Sequence, residues 1–267
     1  MKVSAEIFAV GSELCYGRVY DVNSFWLADR LTRIGVYVKR ITCIRDDLNY
    51  IHATLRDSLN RNPELVITTG GLGPTPDDLT LDALARLTGR ELILHQPTLE
   101  IFAQKRGVPL KDIPRNIAKM ARTLQGARCL PNPTGGAPAT LVEVDNTTLI
   151  ALPGPPREVR AIFARHLKPM FKERTRLVSL HARALVSMRE SEISPLIEEI
   201  ARDNPDLYAK PLVRGYRPGN ALPIVLIIFG ENRKQCREKL SSVSERLTKM
   251  VEEKGRKIVF KNPLTQA

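Results

Sequence analysis

Two adjacent carboxylates, Asp77 and Asp78, follow a short loop that carries Gly70, Gly71 and Gly73. Glycines let backbone amides approach an anion, because no Cβ intervenes. A strand, a tight glycine loop and a helix start together make an anion site. Carboxylates repel a bare phosphate, so the pair points to a bound cation or to proton transfer beside the ligand. Glu13, preceded by Gly11 and Ser12, and Asp46 with Asp47 stand at comparable places, directly after apolar stretches. Carboxylates that converge from separate loops need a compensating cation or a shared proton. Oxygen-only ligands suit a hard ion such as magnesium or manganese, shared with substrate phosphates. Such an ion polarises a phosphoryl oxygen or activates an attacking water. Each acid taken alone has a plainer reading: Asp77 and Asp78 as first-turn helix residues favoured by the dipole, the others as turn residues. Asn23 reads as a helix cap. What raises the acids above those readings is their joint position.

That position depends on the elements around them. Residues 5–10, 36–44 and 64–69 read as strands, and 65–68 is an apolar, β-branched run. Helical spacing follows each: from Asn23 or Ser24 to Ile34, over 50–59, and over 79–87 before Gly89. Strand and helix alternate three times, which predicts parallel strands with right-handed crossovers and helices on both faces. The three acidic ends then share one edge of the sheet. Phe25, Trp26, Leu27 and Leu31 form the apolar stripe of the first helix, with Trp26 expected in the core. Beyond Gly89 we expect a short strand at 92–94, helices at 98–105 and 114–124, and a hairpin of 140–144 with 148–152 turning at Asp145-Asn146. A basic helix starts at the Pro155-Pro156 pair. Residues 173–267 read strand, helix, strand, strand, helix, strand, a small α+β sandwich of ferredoxin-like or KH-like type. Ser191, Glu192 and Ser194 are read there as helix caps. We place the domain boundary in the charged run 172–176, giving domains 1–172 and 173–267.

Composition narrows the classes. The chain has 267 residues, 43% of them hydrophobic, and a formal net charge of +12. The charge permits a polyanionic ligand without specifying one. Aromatic residues are 5%, few for base-stacking platforms, and residues 176–267 contain no GXXG clamp, so nucleic acid ranks low. The four cysteines have no CxxC spacing and are read as free thiols of a reducing cytoplasm. No stretch reads as a signal peptide or a membrane span. The histidines are read as structural or surface.

The segment TGGLGPTPDDLT, residues 69–80, resembles the signature of the competence/damage-inducible CinA family, which has a MoaB/Mog-like molybdopterin-binding domain. Gly11-Ser12-Glu13-Leu14, Asn23-Ser24, Asn132-Pro133, Gly136-Ala137-Pro138 and Leu152-Pro153-Gly154 with Pro156 and Glu158 agree with it, over about the first 170 residues. Cys15, Tyr16 and Ala139 depart from it. The resemblance implies an α/β protein: a three-layer α/β/α domain with a mostly parallel sheet, plus the small α+β domain. It implies metal-dependent hydrolysis of a small dinucleotide of the ADP-ribose type, with magnesium, manganese or cobalt and potassium. It equally allows a molybdopterin- or nucleotide-binding protein without turnover. Asp78, Asp46 and Glu13 then take the catalytic role, and Asp46, Asp77 and Asp78 hold the metal. Gly11, Ser12, Asn23, Thr69, Gly70, Gly71, Gly73, Thr75, Asn132, Gly136, Pro153 and Gly154 bind the ligand. A homodimer is implied as well. The deamidase domain that bacterial members add is not expected in this chain.

Overall fold

The structure, a computed structural model, describes residues 3–213 and 221–261; residues 1–2 of the first expected domain and 214–220 and 262–267 of the second lie outside them. The chain divides into two compact units, Met1–Leu31 with Val36–Arg174, and Thr32–Gly35 with Thr175–Ala267.

The first unit opens with β1 (Ser4–Val10), the single turn α1 (Ser12–Cys15) and α2 (Val22–Arg33). Then come β2 (Tyr37–Ile44), α3 (Leu48–Asn60), β3 (Leu65–Thr69), α4 (Thr80–Thr88) and β4 (Leu92–Leu94). They are followed by α5 (Gln96–Arg106), α6 (Arg115–Lys119), β5 (Arg122–Leu124), β6 (Arg128–Leu130), β7 (Ala139–Val144) and β8 (Thr147–Leu152). The unit ends with α7 (Pro156–Ile162) and α8 (Lys168–Arg174), joined by a π-helical turn at Phe163–Leu167. The main sheet has the order β2-β1-β3-β8-β7-β6; its first four strands are parallel and the last two antiparallel.

Burial follows from that order. β1, β3 and β8 are buried along their whole length, as interior parallel strands covered on both faces must be. The edge strand β2 instead exposes Lys39, Arg40 and Ile41, and charge on an edge discourages pairing with another chain. Phe8, Val10 and Val66 pack on one face with Ile51 and Leu55 of α3 and Leu81 and Leu84 of α4. Ile7 and Ile67 point to the opposite face, where a right-handed β1–α2–β2 crossover lays α2.

Several local expectations need correction. The helix expected over 114–124 stops at Lys119, and Arg122–Leu124 pairs as β5 with β4 instead; a tertiary strand partner overrides the helical spacing. The cap of α2 is Asp21, whose Oδ1 accepts from the Ser24 amide at 3.0 Å, so Asn23 lies inside the first turn. Phe25 is 70% exposed, because the buried face of α2 runs through Ser24, Leu27 and Leu31. Trp26 is only half-buried, edge-on to Phe163 with centroids 5.2 Å apart.

The second unit comprises β9 (Val178–Val186), α9 (Glu190–Asp203), β10 (Leu207–Pro211), β11 (Leu222–Gly230), α10 (Arg233–Glu253) and β12 (Ile258–Lys261). Its antiparallel sheet runs β10-β11-β9-β12, the split βαβ order of a ferredoxin-like fold. Arg189, not a serine, is the N-cap of α9, and its amide donates to Glu192 Oε2 at 2.7 Å. Ser191 lies within α9, and Ser194 Oγ donates to the Glu190 carbonyl.

One charge sits in the middle of the main sheet. Glu6 is 1% exposed, and its carboxylate accepts from Arg61 Nε at 2.9 Å, Arg61 Nη2 at 2.6 Å and Ser58 Oγ at 2.8 Å. Burial pushes its pKa up, but the hydrogen bonds from Arg61 and Ser58 and the charges of Arg61 and Arg40 outweigh it, and the net shift is downward. A lowered folded-state pKa means stabilisation that is present above the ordinary carboxylate range and lost as pH falls through the folded value. Arg61→Met should therefore destabilise the protein at neutral pH by about 2 kcal/mol. That is less than the roughly 3–5 of a fully buried pair, because Arg61 keeps partial solvent contact. Glu6→Gln should flatten the acid limb of a stability–pH profile measured by urea unfolding.

Candidate functional site

β1 and β3 are neighbours, yet the chain leaves β1 first toward β2 on one side and then returns to β3 on the other. Such a reversal opens a crevice at the carboxyl ends of the two strands. A cavity of about 380 Å³ lies there. Its walls come from Val10, Gly11 and Glu13 after β1, Asp46 after β2, residues 70–74 with Asp77 and Asp78 after β3, and Pro153, Gly154, Pro155 and Glu158 after β8. Met120 and Ala137 close it.

Ten of the residues singled out from the sequence thus meet in one place: Gly11, Glu13, Asp46, Gly70, Gly71, Gly73, Asp77, Asp78, Pro153 and Gly154. Four others stand just behind the wall and hold it. The Ser12 amide donates to Asp46 Oδ2 at 2.6 Å while Ser12 Oγ accepts from the Asp46 amide at 3.1 Å, a reciprocal clamp between the first and second loops. Asn23 Nδ2 donates to the Gly154 carbonyl at 2.7 Å and ties α2 to the fourth loop. The Thr75 amide donates to Asp78 Oδ2 at 2.8 Å. Thr75 Oγ1 lies 2.6 Å from that same oxygen and also against Asp77 Oδ1, with one proton to give. Asn132 Nδ2 donates to Glu158 Oε2 at 2.8 Å and to the Ala137 carbonyl at 3.0 Å. Thr69 is buried at the end of β3, and Gly136 lies behind Glu158, outside the cavity wall. Asp47 caps α3, accepting from the Asn49 and Tyr50 amides, and does not reach the cavity.

The acid pair is not part of a helix. α4 begins only at Thr80, and the carboxylate in its first turn is Asp82, which pairs with Arg122. Asp77 and Asp78 sit in the loop, presented by Thr75. The Thr75 hydroxyl, the backbone amide and the nearby Lys119 hold the Asp77 carboxyl below the usual range, against a small opposing effect of burial.

Glu158 escaped the sequence reading as a site residue. Its signals were an acid in the first turn of a helix after Leu-Pro-Gly and a place among the residues that agree with the family signature. Its meaning depends on β8 lying parallel to β3, which no local pattern shows. Burial pushes its pKa up, opposed by the hydrogen bond from Asn132.

The glycines have two jobs. Gly70, with φ 94°, brings the end of β3 past β1: a Cβ there would lie 2.2 Å from the Val10 carbonyl oxygen. Gly11, Gly73 and Gly136 instead each abut a cavity carboxylate, where a Cβ would fall 2.6 Å from Glu13, 2.6 Å from Asp78 and 2.4 Å from Glu158. The space expected for a phosphate at Gly73 therefore serves first to seat Asp78.

Among the described residues, no three His, Cys, Asp or Glu side chains come together as a ready-made metal ligand set. The site offers oxygen donors on exposed loops, without a closed cage. No described helix is long and apolar enough to cross a membrane.

Fold and site together define an α/β ligand-binding domain with an acidic cavity at the topological switch point. Residues 6–173 match the family described as "Probable molybdopterin binding domain". A protein of Pyrobaculum aerophilum is 38% identical over 94% of this chain and 95% of its own length. A CinA-like protein of Thermosipho melanesiensis is 40% identical over 61% of this chain and 40% of its own length. The crystal structure of CinA from Thermoplasma acidophilum, a protein of unknown function, superposes with a TM-score of 0.58 at 32% identity, covering 63% of this chain and 98% of that one. The chain belongs to the CinA family, built on the molybdopterin-binding domain.

Proposed function

We propose that the protein is a metal-dependent pyrophosphohydrolase that cleaves the diphosphate of a small dinucleotide of the ADP-ribose type. The observation that carries this reading is the convergence of Glu13, Asp46, Asp77, Asp78 and Glu158 on one open cavity at the switch point. A binder of a neutral or anionic ligand has no need of five carboxylates, and their mutual repulsion is most simply relieved by a cation that arrives with the phosphates.

The donors fit such an ion. Asp77 and Asp78 supply hard oxygens held by Thr75. They are too few for a cage made by protein alone, and sufficient for a hydrated magnesium, manganese or cobalt ion that shares ligands with a diphosphate. When bound, the ion supplies polarisation of a phosphoryl oxygen. Everything else falls to the chain. Asp46, fixed by the Ser12 clamp, orients the attacking water together with Glu13. Glu158, whose pKa burial raises, can carry a proton and so donate to a phosphate or ribose oxygen. The Pro153-Gly154 turn, tied down by Asn23, lines the far wall.

A second reading is a pterin- or nucleotide-binding protein without turnover. The family description favours it. The two separate in one assay. Incubation with ADP-ribose and magnesium, manganese or cobalt should release AMP in proportion to enzyme. No AMP with any of the metals at high enzyme loading, alongside saturable binding of a pterin or nucleotide, would replace the hydrolase by the binder. Quaternary structure is proposed to be a homodimer, to be checked by sedimentation.

A further inference from the structure

Among the described residues, the cavity wall carries five carboxylates and no lysine or arginine. A diphosphate entering it needs positive charge beyond one divalent ion. Lys119 is placed to give it. It is the last residue of α6, directly before Met120, which lines the cavity. Its Nζ donates to the Thr75 carbonyl, on the crest of the loop between the lining residues Pro74 and Asp77. The ammonium is also close enough to Asp77 to stabilise its charge.

The carrier is built to hold this position. Ala121 is fully buried with Leu99 and Phe102, and Ile117, Ala118 and Met120 pack against them. The His95 amide donates to the Ala121 carbonyl at 2.8 Å, and β5 then pairs with β4. The segment between β4 and β5 thus delivers one ammonium to the mouth of the site. A single bond from an exposed ammonium to a carbonyl adds little stability. The Thr75 carbonyl takes one of three ammonium protons, and a compact charge on a flexible stem is a good phosphate ligand.

The geometry points to Lys119 as a phosphate-binding residue of this site, neutralising the diphosphate of the bound ligand from α6. This rests on the diphosphate reading above, so the test uses a ligand that cannot be turned over. Binding of magnesium methylenediphosphonate is measured by calorimetry at several salt concentrations. The wild type should bind. Lys119→Met should weaken binding about tenfold and lower the salt dependence, with the melting temperature unchanged, while Lys119→Arg should stay within about threefold of wild type. With ADP-ribose as substrate, Lys119→Met should raise KM and leave kcat nearly unchanged. Binding by Lys119→Met equal to wild type, or a fall in melting temperature with an unaltered salt dependence, would overturn the assignment and leave Lys119 a tether. Absence of wild-type binding would overturn it too. If the wild type binds the diphosphonate and Lys119→Met does not, yet no AMP forms from ADP-ribose, the hydrolase reading fails and Lys119 stands.

Discussion

Asp78→Asn should reduce metal-supplemented release of AMP from ADP-ribose by about 10³-fold, with the fold intact. Asp78 lines the cavity, and its Oδ2 accepts from both the amide and the hydroxyl of Thr75. Asparagine keeps the shape, and its carbonyl oxygen can keep the two bonds from Thr75. The remaining oxygen then becomes an amide nitrogen, which carries no charge and is a donor where an acceptor is needed. The loss therefore concentrates on the chemistry. The measurement is steady-state AMP release with the melting temperature as a control. Turnover within threefold of wild type would remove Asp78 from its role. If the variant also binds magnesium methylenediphosphonate normally, the lost step is catalysis and not capture of the diphosphate.

Gly70→Ala should be a strongly damaging single-methyl addition. The residue has φ 94°, and its added carbon would lie 2.2 Å from the Val10 carbonyl oxygen, a backbone atom just past the last paired residues of β1 and β3, Ala9 and Thr69. Neither strand can retreat, because β1 also pairs with β2 and β3 with β8. The cost combines an unfavourable backbone conformation with a clash that cannot relax, about 3 kcal/mol or more. That corresponds to a fall of roughly 6–12 °C in melting temperature. Gly89→Ala is the control. Its φ is 65°, but nothing lies within 4 Å of the added carbon, so only the conformational cost of about 1 kcal/mol applies. Similar melting temperatures for the two variants would show that the Val10 contact is not rigid.

The sequence by itself determined the first three strands, the helices between them and the loops that carry the acids. An apolar run that ends in Gly70-Gly71 has to be a buried strand entering a turn, and alternation with helices predicts parallel strands whose acidic ends share an edge. Glu13, Asp46, Asp77 and Asp78 could be collected on that basis alone, since local pattern sets where a strand stops. The two-residue turn at Asp145-Asn146 was also readable, with Asp145 at φ 50°.

Only the tertiary structure decided which neighbours those loops meet. β8 joins β3 in parallel across 83 residues of sequence, Leu65 beside Thr148. That pairing makes Glu158 a cavity residue and turns the Pro153-Gly154 loop into a wall. Asn23 looked like a cap because its type suits one, yet Asp21 takes that place and Asn23 reaches Gly154 instead. Asp47 went the other way, from site candidate to cap of α3. The physical reason is common to all of these. A side chain's type and local spacing limit the bonds it can make, whereas the partner it makes them with is set by strand pairings distant in sequence. The Asp77-Asp78 loop shows both halves: its composition announces an acidic turn, and the Thr75 and Lys119 contacts, with the loop after β8 beside it, place it on the wall of the acidic cavity.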